Sequence, residues 1–292
     1  MAAACPVHHR RRPAEDPDGQ GAEVRADQAG AGTAGPRGGG VSASNLALVT
    51  GGGSGIGAAT ARRLAGRGLH VVIVGRTAGR LQQVVSEIEA AGGTAEPVVA
   101  DCGTEAGQAA ILGAVGSRPV QAFVHAAGAD RIRDFAETTR ADFAELIGTN
   151  LGAAFFLTQG LLPVMTDRAS VTFVGTVGTR RGMARHALYG ASKAGLIGLV
   201  SNLAVELAPK VRVNCISPGS TDTGMLADYV EQSRAGLSEK EAQRRHIAAS
   251  ARILLRRIAS ADEVAATVAH VALDATAMTG VDLPVDVGYM AS

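Results

Sequence analysis

Short apolar runs alternate with longer stretches in which apolar residues recur every three or four positions, beginning at Leu46 and continuing almost to the end of the chain. The short runs predict strands over Leu46–Thr50, His70–Val74, Pro97–Ala100, Val120–His125, Ser170–Gly175, Val211–Ile216 and Val281–Val285. The longer stretches predict helices; Leu81–Ala91, for example, carries Leu81, Val84, Val85 and Ile88 on one face. Strands alternating with amphipathic helices predict an α/β fold: a single Rossmann-type, doubly wound, parallel seven-stranded sheet with helices on both faces. No repeat of solenoid period is present.

Residues 1–44 lack periodic apolar positions and are rich in Ala, Gly, Arg and Asp. They read as a disordered N-terminal extension ahead of a catalytic domain over 45–292. Arg10, Arg11 and Arg12 are followed by acidic residues and no apolar segment, unlike a signal or transit peptide.

Composition narrows the partners. The 28 basic and 27 acidic residues leave a net charge of +1, so no broad field invites a nucleic acid. Cys5, Cys102 and Cys215 are odd in number and widely spaced, which argues against a disulfide framework or a zinc site and fits a reducing cytoplasm. No run approaches the roughly 18 continuous apolar residues of a membrane-spanning helix, so no membrane association is expected.

The candidate chemistry lies at strand ends. The first strand leads into Thr50, Gly51, Gly52, Gly53, Ser54, Gly55, Ile56 and Gly57, then a helix. Such a turn presents backbone N–H groups and a helix N-terminus to a pyrophosphate, with glycines allowing close approach. The second strand ends at Gly75 and Arg76. An acidic residue there would bind the adenosine ribose of NAD(H), whereas an arginine can clamp a 2′-phosphate, so Arg76 points to NADP(H) with NAD(H) still possible. Asp101 and Cys102, after the third strand, stand where an adenine edge could be read.

Tyr189 and Lys193 open a helical stretch four residues apart and therefore share one face. A phenol with its ordinary pKa of ~10 is a poor acid or base at neutral pH, and a neighbouring ammonium would favour its ionised form. Thr176 ends the fifth strand thirteen residues before Tyr189, and Asn150 lies in a segment predicted helical over 142–165.

Together with the glycine-rich turn and the later Pro218 and Gly219, this order and spacing resembles the short-chain dehydrogenase/reductase family over nearly all of residues 46–292. The resemblance implies that Tyr189 is the general acid or base and that Lys193 lowers its pKa while binding the nicotinamide ribose. It implies that Thr176 stands where the family usually has serine, bonding the substrate oxygen, and that Asn150 supports a water-linked proton relay. Gly128 keeps the bend after the fourth strand, and Thr223 matches a threonine that contacts the cofactor.

The sequence departs from the family at Thr176, whose methyl restricts χ1. A second departure is His125, Ala126, Ala127, Gly128 in place of Asn-Asn-Ala-Gly, where weaker side-chain support is expected. A third is Val285, Asp286, Val287, Gly288 in place of Val-Asp-Gly-Gly, expected to alter a subunit contact. His125 itself reads as a packed or backbone-bonded residue rather than a base.

Residues 224–258 form a helix-prone insertion of lid character with Arg244, Arg245, Arg252, Arg256 and Arg257. Arg180, Arg181, Arg185 and His186 form a second basic group, which would suit an anionic or carrier-linked substrate unless they are simply solvated. Two local resemblances diverge. Pro218–Thr223 looks like dihydrodihydroxybenzoate dehydrogenases, which implies a dihydrodiol dehydrogenase. The helix beginning KAGLIGL is similar to 3-oxoacyl carrier protein reductases, with Arg168 and Lys210 near positions that meet the carrier.

The leading expectation is an NADP(H)-dependent oxidoreductase interconverting a small-molecule ketone and a secondary alcohol. The rival from another class is a catalytically silent cofactor-binding subunit. Ala194, Gly195 and Gly198 permit close helix approach, and the resemblance implies a homo-oligomer, a tetramer or a dimer.

Overall fold

A computed structural model describes residues 45–226 and 253–291. The expected extension at 1–44 and most of the basic insertion, including Arg244, Arg245 and Arg252, lie outside the described residues.

Seven parallel strands form the main sheet: β1 (Leu46–Thr50), β2 (His70–Gly75), β3 (Thr94–Val99), β4 (Val120–His125), β5 (Met165–Val174), β6 (Val211–Pro218) and β9 (Asp282–Val285), in the order β3-β2-β1-β4-β5-β6-β9. Thr221–Asp222 (β7) and Ala259–Ser260 (β8) make a small parallel pair beside it. The apolar runs of β1, β2 and β4 are buried on both faces, as a sheet covered twice requires.

One face is covered by α3 (Glu105–Val115), α5 (Ala153–Leu161) and α6 (Ala187–Leu207), around a core containing Phe123, Leu157, Phe173 and Leu196. The other is covered by α1 (Gly55–Ala65), α2 (Ala78–Ala90) and the helix at Ala261–Leu273, here α7, around Leu64, Ile73, Leu81 and Val268. A short α4 (Arg140–Ile147) precedes α5. Strand order reverses between β1 and β4, and their carboxyl ends open the crevice where such sheets bind ligands.

The expected elements differ from the observed ones in instructive places. Strand β3 begins at Thr94, upstream of Pro97, which interrupts the strand pattern but is tolerated because β3 is an edge strand. The helix expected over 142–165 is broken by a π-turn at Gly148–Gly152 that contains Asn150. Among the described residues, the segments Arg140–Val164 and Ala187–Leu207 reach the length and mean hydropathy (1.2) of a membrane span, which the search for continuous apolar runs did not reveal. Their Leu and Ala content raises the mean, while each carries buried polar residues, Asn150 in the first and Ser192 and Lys193 in the second.

Candidate active site

The phosphate end is built from β1 and α1. Gly51 has φ +69°, and a Cβ there would come within 2.7 Å of the Ala127 nitrogen, so only glycine lets β1 turn beneath the β4 loop. Gly57 packs against the Gly51 carbonyl so tightly that any side chain would collide with it. Ser54 caps α1 without a side-chain hydrogen bond to its first turn, and that turn holds no acidic residue. Its N–H groups and partial positive charge therefore face outward, suited to an anion. A cleft of about 370 Å³ lies here, away from Tyr189, and is lined by Ser54, Gly55, Arg62, Arg80 and Thr223 among others. Thr223 sits against Gly55, where a Cβ would meet the threonine methyl at 3.1 Å. Ile56 is half-buried against the second core.

Arg76 is exposed at the end of β2 and makes no ion pair among the described residues. Arg80, in the first turn of α2, lines the cleft; its place four residues after Arg76 was visible in the sequence, but its direction was not. Asp101 accepts a hydrogen bond from the Gly103 N–H at 2.9 Å. At Cys102 the side chain joins the core and the carbonyl is taken by Gln108 Nε2, so any contact with an adenine edge falls to its backbone N–H. Burial, and then the Asp101 charge, push its thiol up to about 11.

At the reacting end, Tyr189 and Lys193 lie on the buried face of α6 as their spacing predicts. Thr176 follows β5 in extended conformation (φ −162°) and accepts from the Gly178 N–H at 3.1 Å, and its side chain acts on the Tyr189 hydroxyl against the rise that burial causes in the phenol's pKa. Lys193 Nζ donates to the Val174 carbonyl at 2.9 Å and lies 3.3 Å from where a Gly128 Cβ would stand. A side chain at 128 would therefore crowd the ammonium.

The electrostatics depart from the expectation that Lys193 draws the Tyr189 pKa down. Burial, reinforced by the Asp130 charge, raises Tyr189 well above the ordinary tyrosine range, with Thr176 opposing it. Burial also lowers Lys193 to about 8. The phenol is held protonated because desolvation and the Asp130 charge outweigh the opposing effect of Thr176.

Asn150 is bonded on every side of its amide. Both amide hydrogens are used, donating to the Ala129 carbonyl at 2.9 Å and the Ser192 hydroxyl at 2.8 Å, and Oδ1 accepts from the Ala129 N–H at 2.8 Å. The side chain clamps the 128–130 loop onto α6. Ser192 continues the link by donating to the Tyr189 carbonyl at 2.7 Å.

His125 strengthens its turn where weaker support was expected. Its Nδ1 accepts from the Thr50 hydroxyl at 2.8 Å and its Nε2 donates to the Thr149 carbonyl at 3.1 Å, joining β1 to the π-turn. Full burial, and then the Lys193 charge, lower its pKa to about 3, so it is a neutral strut.

The basic group before Tyr189 is engaged within the chain. Arg180 pairs with Asp282 at 2.7 Å, Arg185 with Asp134 at 3.3 Å and His186 with Asp130 at 3.5 Å, while Arg181 stacks on the Tyr289 ring at 5.1 Å. These contacts, invisible in the sequence, spend much of the charge an anionic substrate would use. Arg256 and Arg257 are described, and Arg257 pairs with Glu263. Gly195 faces Leu151 inside the subunit, whereas Gly198 is open; the small residues expected to serve one surface are therefore divided.

Residues 45–234 match the family model described as short chain dehydrogenase. Levodione reductase of Leifsonia aquatica is 31% identical over 85% of this chain and 94% of its own length. L-xylulose reductase of Bos taurus is 31% identical over 86% and 98%. Among solved structures, a variant of actinorhodin polyketide ketoreductase with NADPH is 30% identical, covers 84% of this chain and 97% of its own, and superposes with a TM-score of 0.77.

Proposed function

The chain belongs to the short-chain dehydrogenase/reductase family and is an oxidoreductase of the CH–OH/C=O class; from that premise we propose that it is an NADP(H)-dependent carbonyl reductase interconverting a ketone and a secondary alcohol. The observation that carries this reading is the buried Tyr189 phenol, with Thr176 acting on its hydroxyl and Lys193 one helical turn away. Arg76 and Arg80 beside the phosphate turn support the phosphorylated dinucleotide, and the NADPH in the actinorhodin ketoreductase structure agrees.

The residues fit such a cofactor. The Gly51–Gly57 turn and the open first turn of α1 would hold its pyrophosphate, Arg76 and Arg80 its 2′-phosphate, and Lys193 beside Gly128 its nicotinamide ribose. When bound, the dinucleotide supplies the hydride in reduction and accepts it in oxidation. Tyr189, held as a phenol, delivers its proton to the developing alkoxide, and the Thr176 hydroxyl stabilises charge on the same oxygen. The clamp through Asn150 and Ser192 fixes the loop and helix that position these groups, and much of the acceleration comes from that alignment.

Tyr189→Phe tests the assignment. NADPH binding, followed by fluorescence titration, is expected to persist while ketone reduction falls by more than a hundredfold; retention of over a tenth of the wild-type rate refutes the role. We also propose a homo-oligomer, because Phe143, Phe155, Phe156 and Val205 expose 44–81% of their surface on and around α4–α6. Light scattering showing only monomer at micromolar concentration overturns that proposal.

A further inference from the structure

Beside the histidine that packs edge-on against Tyr189 stands an acid that the carbonyl chemistry does not require. Asp130 follows Ala129, whose N–H and C=O are both held by Asn150, so its backbone is fixed from the residue before it. Its Oδ2 lies 3.5 Å from His186 Nε2. His186 Nδ1 already donates to the Ala184 carbonyl at 2.7 Å, so Nε2 can donate to Asp130 only from the imidazolium form. The imidazole edge also meets the Tyr189 ring, with centroids 6.2 Å apart. A backbone bond from Arg133 N–H to the Arg185 carbonyl at 3.0 Å joins the two loops that carry the pair.

The second carboxylate oxygen has no such partner. Asp130 Oδ1 is shut off from solvent and accepts no hydrogen bond among the described residues. A buried acceptor left unpaired is costly, more so when it carries charge. Its charge also raises the proton affinity of Tyr189 and supports the Lys193 ammonium, so the carboxylate is felt at both reacting groups. An acid that is incompletely satisfied and acts on the reacting phenol is explained if the missing donor arrives with the substrate.

We propose that Asp130, oriented by His186, is a specificity-determining residue that accepts a hydrogen bond from a hydroxyl group on the carbon adjacent to the substrate carbonyl. A neutral hydroxyl fits better than an ammonium group, because Lys193 and His186 already place cationic groups around the carboxylate. The substrate class is therefore an α-hydroxyketone, or the vicinal diol in the reverse direction. This rests on the carbonyl reductase reading and adds to it the group that the enzyme selects. A site built to bond a hydroxyl discriminates strongly against the analogue lacking it, because its own polar atom is then left unpaired.

The test compares kcat/KM with NADPH for matched ketones: cyclohexanone against 2-hydroxycyclohexanone, and 1-tetralone against 2-hydroxy-1-tetralone. Wild type is expected to favour the hydroxylated member by roughly tenfold or more. Asp130→Ala is expected to bring the ratio close to one, and Asp130→Asn, which keeps a neutral acceptor, to give an intermediate ratio. NADPH titration verifies that each variant is folded. Turnover of both members by wild type without preference, or a preference surviving in Asp130→Ala, overturns the inference and leaves the reductase reading intact. Absence of turnover for every pair overturns both.

Discussion

Replacing Lys193 by Met should stabilise the ligand-free protein while abolishing its activity. The ammonium is 4% exposed, and burial lowers its pKa from the ordinary 10.5 to about 8. At ~1.36 kcal/mol per pH unit, the folded state bears a penalty of about 3 kcal/mol wherever both folded and unfolded chains carry the proton, that is, below pH 8. The penalty fades as pH rises from 8 to 10.5, where the unfolded chain still holds a proton that the folded chain has released. Methionine has nearly the same shape and no charge, but it leaves the Val174 carbonyl without the Nζ donor at 2.9 Å, a loss of roughly 1–2 kcal/mol. The net gain at pH 7 is then about 1–2 kcal/mol, or a melting temperature higher by several degrees. The sharper quantity is the difference between the two proteins across pH, because lost packing and the lost bond do not titrate. Urea unfolding of both apoproteins at pH 7.0, 8.0, 9.0 and 9.5 should show wild type recovering about 2 kcal/mol on Lys193→Met over that range. Parallel pH profiles would refute the claim that Lys193 is held charged at a cost.

Two other consequences can be checked directly. Arg76→Asp should reverse cofactor preference, weakening NADPH by about tenfold to a hundredfold through loss of charge-assisted phosphate bonds, with Arg80→Ala producing a smaller loss in the same direction; equal wild-type affinity for NADPH and NADH in titration would contradict the reading of this end of the site. His125 titrates near 6.5 when unfolded and at about 3 when folded, so stability is lost as pH falls from 6.5 towards 3, by about 3 kcal/mol at pH 4.5. His125→Asn should remove that share of the acid sensitivity, and denaturation curves at pH 7 and 4.5 that shift equally in both proteins would count against it.

What could be read from the sequence was whatever depends on short spacing. Runs such as VVIV show their burial by composition, and the pairing of Tyr189 with Lys193 follows from one helical turn. The elements that were missed depend on position in the assembled sheet. Pro97 is admissible in β3 only because that strand lies at an edge, which the local sequence does not record. The π-turn at Asn150 makes sense once Ala129 and Ser192 are seen to claim its amide, and those residues lie 21 and 42 positions away. Charge was hardest to read. Spacing placed an ammonium beside a phenol, but burial, a property of the whole fold, set the direction of both pKa shifts.

The departures seen in the sequence look different once their surroundings are known. Threonine at 176 first read as a crowded substitute for serine. Its hydroxyl accepts from the Gly178 N–H and opposes the rise in the Tyr189 pKa, and the branching that restricts χ1 also limits the directions in which that hydroxyl can point. At 125, histidine spans from the Thr50 hydroxyl to the Thr149 carbonyl, bracing the end of β4 against the π-turn. Val287 is the exception. It adopts φ +51°, where a β-branched residue is strained, while its side chain packs at the border of the second core. Two substitutions that a motif comparison would score as losses therefore lie where hydrogen bonds brace the reacting groups. The one with a backbone cost lies on the carboxyl side of β9, outside the network that joins Thr176, Tyr189, Ser192 and Asn150. That distribution argues for a working proton-transfer site over a fold that has kept its cofactor and shed its chemistry.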